Sequence, residues 1–441
     1  MLDIKYFYNL HANVLSYAIY KTGSHLVYIK KIFYMTIIIS LCLLLLVAYL
    51  FDLTASMTKI PSVILLLLLG WVVREITLLF SLNIPDLTST LPILGTIGLI
   101  LIVLEGSLEL ELNKSKIGLI KKSSIGAFLP LIVLAFSLAY LLYYYGGYSF
   151  KDSLTNAIPF CVISSAIAIP SVRNLSNSQK EFIIYESSLS DIFGVVFFNF
   201  IAFNTSFGMD TFGYFCLEIL VIIVISFVAT ILLSFLLNKI DHHIKFVPII
   251  LLIILIYEIS KIFHLPALIF ILVFGLSIGN LDELRHYKWT HQFRLDLLNK
   301  EVAKFKELIV EATFLVRALF FLLFGYLIKT SEIINTDTLI WAIGIVAILF
   351  VLRFIQLKIS KIPLFPLLFV APRGLITILL FLSISPEQTI VLVNKSLIIQ
   401  VILLTALIMM LGLMITAKQR ETILEERRKA KVKALSQTEK I

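Results

Sequence analysis

The chain has 441 residues, 59% of them hydrophobic and only 15% charged, and its mean hydropathy is +1.00, which excludes an ordinary soluble enzyme. Its formal net charge is +9. Lys and Arg nevertheless sit in short loops between apolar runs and in the C-terminal tail, so the excess reports membrane orientation and not nucleic-acid binding. The three cysteines, Cys42, Cys161 and Cys216, all fall in apolar segments without metal spacing; they are expected as core residues, with neither a disulfide framework nor a zinc site.

Taken in chain order, the apolar windows predict thirteen membrane spans at 33–52, 60–80, 91–108, 124–145, 152–173, 181–203, 214–238, 244–262, 265–280, 306–328, 338–359, 364–383 and 393–417. A hydrocarbon core roughly 30 Å thick takes about 20 residues of helix. One alternating set of loops carries Lys59, Lys114, Lys116, Lys121, Lys122, Arg173, Lys180, Lys239, Lys245, Arg285, Lys288, Arg294, Lys300, Lys304, Lys358 and Lys361, and the other only Lys151, Lys261, Lys329 and Lys395. The positive-inside rule makes the first set and the basic tail 418–441 cytoplasmic, in a multi-pass protein of the cell (inner) membrane.

Residues 1–34 disagree, because Lys5, Lys21, Lys30 and Lys31 would then lie outside. Met35 opens a natural first span, so 1–34 reads as an N-terminal extension or a mis-assigned start, without the cleavage site of a signal peptide. The loop 281–305 spaces apolar residues every three or four among charged ones and is expected to lie on the membrane surface as an interfacial helix. His242 and His243 read as solvated loop residues. The tail is charged, helix-prone and too short for a soluble regulatory domain.

Two triplets of spans, 124–203 and 338–417, each centre on an interrupted helix and run in opposite directions, the inverted repeat of many secondary transporters. The expected fold is therefore an all-α polytopic membrane protein of about thirteen transmembrane helices, with inverted repeats and two crossing discontinuous helices. The first interruption reads NAIPFCVISSAIAIPSVRN, with Pro159 and Pro170 around Ser164 and Ser165. The second reads LFPLLFVAPRGLITILLF, with Pro366, Pro372, Arg373 and Gly374. Proline removes a backbone donor, and unwound backbone inside a membrane is tolerated only where it lines a cavity or site.

Ionisable groups deep in spans are functional candidates. In EFIIYESSLSDIFGVVFFNF, Asp191 lies about 15 Å from the inner end at 1.5 Å per residue. Ser187 and Ser188, four and three residues earlier, share its face. Glu186 is about 140° away around the helix and faces other neighbours, where Arg353 at similar depth is a plausible partner; Arg317, level with Asp191, competes for either acid. Glu105, Arg74 and Glu75 lie nearer span ends, where snorkelling or pairing is expected.

Several of these stretches together resemble the monovalent cation–proton antiporter superfamily, specifically its Na+/H+ exchanger domain. Ser107-Leu-Glu-Leu-Glu-Leu112 is similar to the family's Gly-Leu-Glu-Leu-Asp-Leu. Ser164-Ser-Ala-Ile167 resembles the crossing-helix motif of the potassium-efflux branch, and Glu186-Ser-Ser-Leu-Ser-Asp191 the Glu followed five residues later by an ion-binding Asp. Arg353 matches the arginine that pairs with that Glu, and Pro372-Arg373-Gly374 the Arg-Gly of the second crossing helix, where Arg373 and Gly374 compensate charge. The chain departs from many sodium–proton exchangers in having Ser165-Ala166-Ile167 where they carry Thr-Asp-Pro, and Ser190 before Asp191 where they carry Asp or Asn.

The resemblance implies a membrane domain over 35–417, with a moving core of 124–203 and 338–417 and a dimerisation part of 35–123 and 204–337. It implies exchange of Na+, or of K+ or Li+, for H+ at Asp191. Ser187, Ser188, Ser190, Ser164 and Ser165 are the further binding candidates, in an electroneutral homodimer that needs no cofactor and binds no nucleic acid. Expected rivals are a same-fold organic-anion carrier and a cation channel, the latter lacking a Thr-Val-Gly-Tyr-Gly filter. No intramembrane-protease motif is present.

Overall fold

The computed structural model describes residues 35, 38–55, 60–81, 84, 86–110, 114–173, 175–204, 209–239, 246–263, 265, 267–280 and 295–438. The 1–34 extension, His242, His243 and the stretch 281–294 lie outside these. Among the described residues there is helix and loop but no strand. Among these residues ten helical segments, the broken one over Phe150–Ser171 included, are long and apolar enough to cross a membrane. The other three predicted windows fall on shorter pieces: a 17-residue helix at Phe246–Ile262, a 13-residue helix at Ala267–Gly279 and a broken segment ending in Leu375–Leu382.

The chain divides into two compact units, residues 1–53 and 54–441. In the first, helix α1 (Ile38–Ala55, its last two residues beyond the unit) has an apolar window with mostly exposed side chains. Cys42 is exposed on it, and Cys216 is exposed on helix Met209–Lys239, so only Cys161 is a core residue. Apolar sequence does not separate core from surface where the surroundings are hydrocarbon.

In the second unit α11 (Leu295–Leu327) packs on α2 (Ser62–Leu79) and α3 (Thr90–Glu109), and α3 packs on α10 (Ala267–Gly279). Helix α11 runs unbroken for 33 residues, about 50 Å at 1.5 Å per residue. Residues 295–305 therefore begin a long helix, where the sequence suggested a surface segment. The α2 and α11 backbones touch at two glycines. A Cβ at Gly70 would stand 2.2 Å from the Leu322 carbonyl oxygen, and one at Gly325 2.3 Å from that of Leu67. Beyond this crossing Arg74 donates to the Ile328 carbonyl at 2.5 Å, Thr330 donates to Glu75 at 2.7 Å, and Trp71 donates to Thr330 at 3.1 Å. Arg74 and Glu75 thus join two helix ends.

Backbone cannot give way as a side chain can, so Gly70→Ala is expected to cost about 1–3 kcal/mol through forced helix separation. Gly118, in helix α4 (Ile117–Gly146), has nothing within 4 Å, and Gly118→Ala should be neutral or stabilising by up to about 1 kcal/mol through helix propensity. Thermal melts of the detergent-solubilised protein compare the two; equal melting temperatures would refute the close-packing account.

Helix α4 packs on α5 (Phe150–Ala157), α7 (Asn177–Phe203) and α13 (Thr336–Ile359), and α13 packs on the final helix, α15 (Lys395–Thr438). Ser149 caps α5 by accepting from the Asp152 N–H at 3.0 Å, and Asn335 caps α13 by accepting from the Asp337 N–H at 3.1 Å, each satisfying an orphan donor of the first turn. The window 152–173 folds as α5, a 3-10 turn over Ile158–Phe160, an extended stretch and α6 (Ser165–Ser171). The window 364–383 folds as a 3-10 turn over Leu367–Phe369, an extended stretch and α14 (Leu375–Leu382).

Candidate functional site

The two interruptions meet. The Ser164 N–H donates to the Pro372 carbonyl at 2.9 Å, so extended backbone from one broken helix satisfies that of the other. Gly374 makes the approach possible, because a Cβ there would lie 2.7 Å from the end of Ile167 and 2.8 Å from the Ser164 hydroxyl.

Asp191 stands beside the first break, on the face of α7, and is 1% exposed. Its Oδ2 accepts from the Ser165 hydroxyl and, at 3.4 Å, from the Ser165 N–H in the first turn of α6. Its Oδ1 has no partner among the described residues, and neither have the hydroxyls of Ser164 and Ser188. Ser188 rests against α3, where a Cβ at Gly106 would come 2.8 Å from its oxygen. The Ser187 hydroxyl donates to the Ile183 carbonyl at 2.7 Å, and Ser190 Oγ accepts from the Ile163 N–H at 3.0 Å. Three buried oxygens are thus left open, Oδ1 of Asp191 itself and the hydroxyls of Ser164 and Ser188. An unsatisfied buried polar atom costs about 1–3 kcal/mol, so such a cluster suits a site that receives a proton or cation.

Arg373 holds the second break. Its N–H donates to Thr405 at 3.1 Å, Nε to the Phe160 carbonyl at 2.6 Å, Nη1 to Ala371 at 2.9 Å and Nη2 to Cys161 at 3.3 Å. The guanidinium therefore sits on carbonyls at the end of the first half-helix, where the helix dipole favours positive charge.

Glu186 is fully buried and faces away from Asp191 toward Arg353, which is 3% exposed. Both carboxylate oxygens are engaged: Oε1 by Nη1 of Arg353, and Oε2 by Nη2 at 2.7 Å. Gln356 completes the cluster, donating to Glu186 at 2.7 Å and accepting from Arg353 at 3.0 Å. Arg353 also donates to the Leu367 and Val370 carbonyls at 3.3 Å each, tying α13 to the second break. Gly126 leaves room, since a Cβ there would meet Gln356 at 2.8 Å and Glu186 at 3.0 Å. Of the two arginines the sequence left open, Arg353 holds Glu186; Arg317 lies on α11.

Gln356 and Thr405 were not singled out in the sequence. Gln356 follows Arg353 by three residues, so it shares its helix face, a signal that was legible. Thr405 carries none, because nothing local relates it to Arg373. Among the described residues no group of three or more His, Cys, Asp or Glu side chains is arranged to hold a metal ion.

Two broken helices crossing at their breaks, one beside a buried carboxylate and the other carrying a buried guanidinium, form the construction of an ion-coupled secondary transporter. The chain belongs to the transmembrane sodium/hydrogen exchanger family, whose model matches residues 42–418. A search of curated proteins finds no match. Among solved structures, the chain is similar to the sodium proton antiporter MjNhaP1 from Methanocaldococcus jannaschii at pH 8. The identity is 18%, with a TM-score of 0.61 over 86% of this chain and 95% of that one. An electron-microscopy map of the same antiporter gives 20% identity and a TM-score of 0.62 over 89% and 97%. At these identities the likeness establishes the fold, and the family is one of transporters and not of enzymes.

Proposed function

We propose that the protein exchanges a monovalent cation for H+ by alternating access at Asp191. Na+ is the first candidate, with K+ and Li+ beside it because the first crossing helix lacks a carboxylate. The observation that carries this reading is a buried carboxylate with one oxygen held by Ser165 and the other without a partner among the described residues. Proton and cation then compete for one group. Ser164, Ser165 and Ser188 supply further oxygens, and Ser187 can contribute as well, since a hydroxyl that gives its hydrogen to a carbonyl keeps lone pairs for a cation. Ser190 holds the break in shape from behind.

A bare carboxylate is costly in the membrane, so only the protonated or cation-loaded forms cross, which makes exchange obligatory. One titratable carboxylate at the site gives one cation per proton and electroneutral transport. Segments 124–203 and 338–417 move as a core against 35–123 and 204–337, the latter forming a homodimer, with the C-terminus cytoplasmic. Supporting this division, Gly95 and Gly98 of α3 lie under Leu379 and Leu375 of α14, and Gly106 under Ser188, a face with few side chains to obstruct sliding.

The test is proton movement in inverted vesicles acidified by respiration, with Na+, Li+ or K+ added separately. Collapse of the pH gradient by one of them, without a turnover-linked current on a solid-supported membrane, is expected. A current overturns electroneutrality. Uptake driven by an organic anion, with no cation effect, overturns the antiport reading.

A further inference from the structure

Behind the site, between α4, α13 and the two breaks, lies a cavity of about 20 Å³ lined in part by Arg353, Arg373, Gln356, Ser190 and Cys161. A volume above roughly 10–15 Å³ suffices for one water-sized guest. Its polar lining is short of acceptors. Arg373 has five N–H groups and uses three side-chain ones, all on backbone carbonyls. Gln356 spends one amide hydrogen on Glu186 and its oxygen on Arg353. Ser190 accepts from Ile163 and gives its hydroxyl hydrogen to nothing described. Cys161 spends its thiol hydrogen on the Ala157 carbonyl and its own carbonyl on Arg373. Unspent donors from three side chains therefore border one space.

Charge points the same way. The positive charge of Arg353 is met by Glu186 in contact, whereas the guanidinium of Arg373 meets only carbonyls. We propose that this cavity is a binding site for one small monovalent anion of the chloride class, held by Arg373, Gln356 and Ser190. A consequence for transport rests on the role proposed above for Asp191: when that carboxylate is protonated or cation-loaded its charge is cancelled, and the anion cancels the remaining charge of Arg373 as the core crosses.

The experiment uses the full chain, purified in chloride-free gluconate. Bromide or chloride at constant ionic strength should raise the melting temperature saturably, and crystals grown with bromide should show one anomalous peak within hydrogen-bond reach of Arg373 and Gln356. Ser190→Ala removes the hydroxyl donor, and with it the acceptor of the Ile163 N–H, without touching charge, and should raise the half-saturating bromide concentration about tenfold, the scale of one hydrogen bond. A wild-type melting temperature indifferent to halide, a water with no bromide signal in the cavity, or an unshifted Ser190→Ala titration overturns the anion site and leaves cation exchange untouched. Conversely, cation exchange that persists in Asp191→Asn alongside halide binding overturns the transport reading and leaves the anion site in place.

Discussion

Asp191→Asn should reduce cation-dependent collapse of the pH gradient to background, at least about 100-fold below wild type, while its melting temperature stays within a few degrees. Asn keeps the shape and still accepts from the Ser165 hydroxyl that contacts Asp191. It removes the negative charge and the titratable proton, the two properties for which the competing ions bind. A loss of roughly 3 kcal/mol in binding corresponds to about 100-fold, a modest sum for a buried charge–charge contact. Ser165→Ala removes one hydrogen bond to the carboxylate and one oxygen offered to the cation, and should cost at least about tenfold, as a hydrogen bond to a charged group is worth about 1.5–3 kcal/mol. The vesicle assay ranks the two variants. Exchange surviving in Asp191→Asn would move the site elsewhere.

The second large effect concerns stability. Glu186 and Arg353 are 0% and 3% exposed and bonded through both carboxylate oxygens. Removing either partner strands the other charge, at about 3–5 kcal/mol. Glu186→Gln leaves Arg353 with Gln356 and the carbonyls of Leu367 and Val370, so it should be the milder single variant. Arg353→Met leaves Glu186 with Gln356 alone and should be the worse. Glu186→Leu with Arg353→Met removes both charges and should recover most of the loss, because a well-packed apolar pair often matches a buried ion pair in stability. A double-mutant cycle built from Glu186→Leu, Arg353→Met and the two together, read by thermal unfolding, gives the coupling, expected above about 2 kcal/mol. Additive singles would mean that the contact contributes nothing as a pair.

Much of the architecture was legible because the membrane requires it. Backbone groups in hydrocarbon must be satisfied internally, so long apolar runs fold as helices, and the windows from 60–80 to 393–417 all fall on helical or broken-helical segments. Pro159, Pro372 and Gly374 marked the breaks by the same chemistry, since proline withholds a donor and glycine admits a close neighbour. Where hydropathy has no contrast, reading failed. Cys42 and Cys216 were expected inside and are exposed, and 295–305 belongs to α11 and not to a surface helix. Lipid-facing and core-facing positions are equally apolar, and a mixed charged helix start looks the same whether it lies on a membrane or leads into one.

By itself, then, the sequence determined an all-helical membrane protein of the exchanger family with two broken helices, because spans, breaks and the spacing of Glu186 and Asp191 are local properties. Only the tertiary structure decided which arginine meets Glu186 and that Gln356 joins them. Only it decided that Arg373 rests on carbonyls from the other broken helix, and which oxygens around Asp191 stay open. Those outcomes depend on contacts between helices up to 213 residues apart. Helical periodicity fixes which face a residue occupies, but which face it meets is settled by packing.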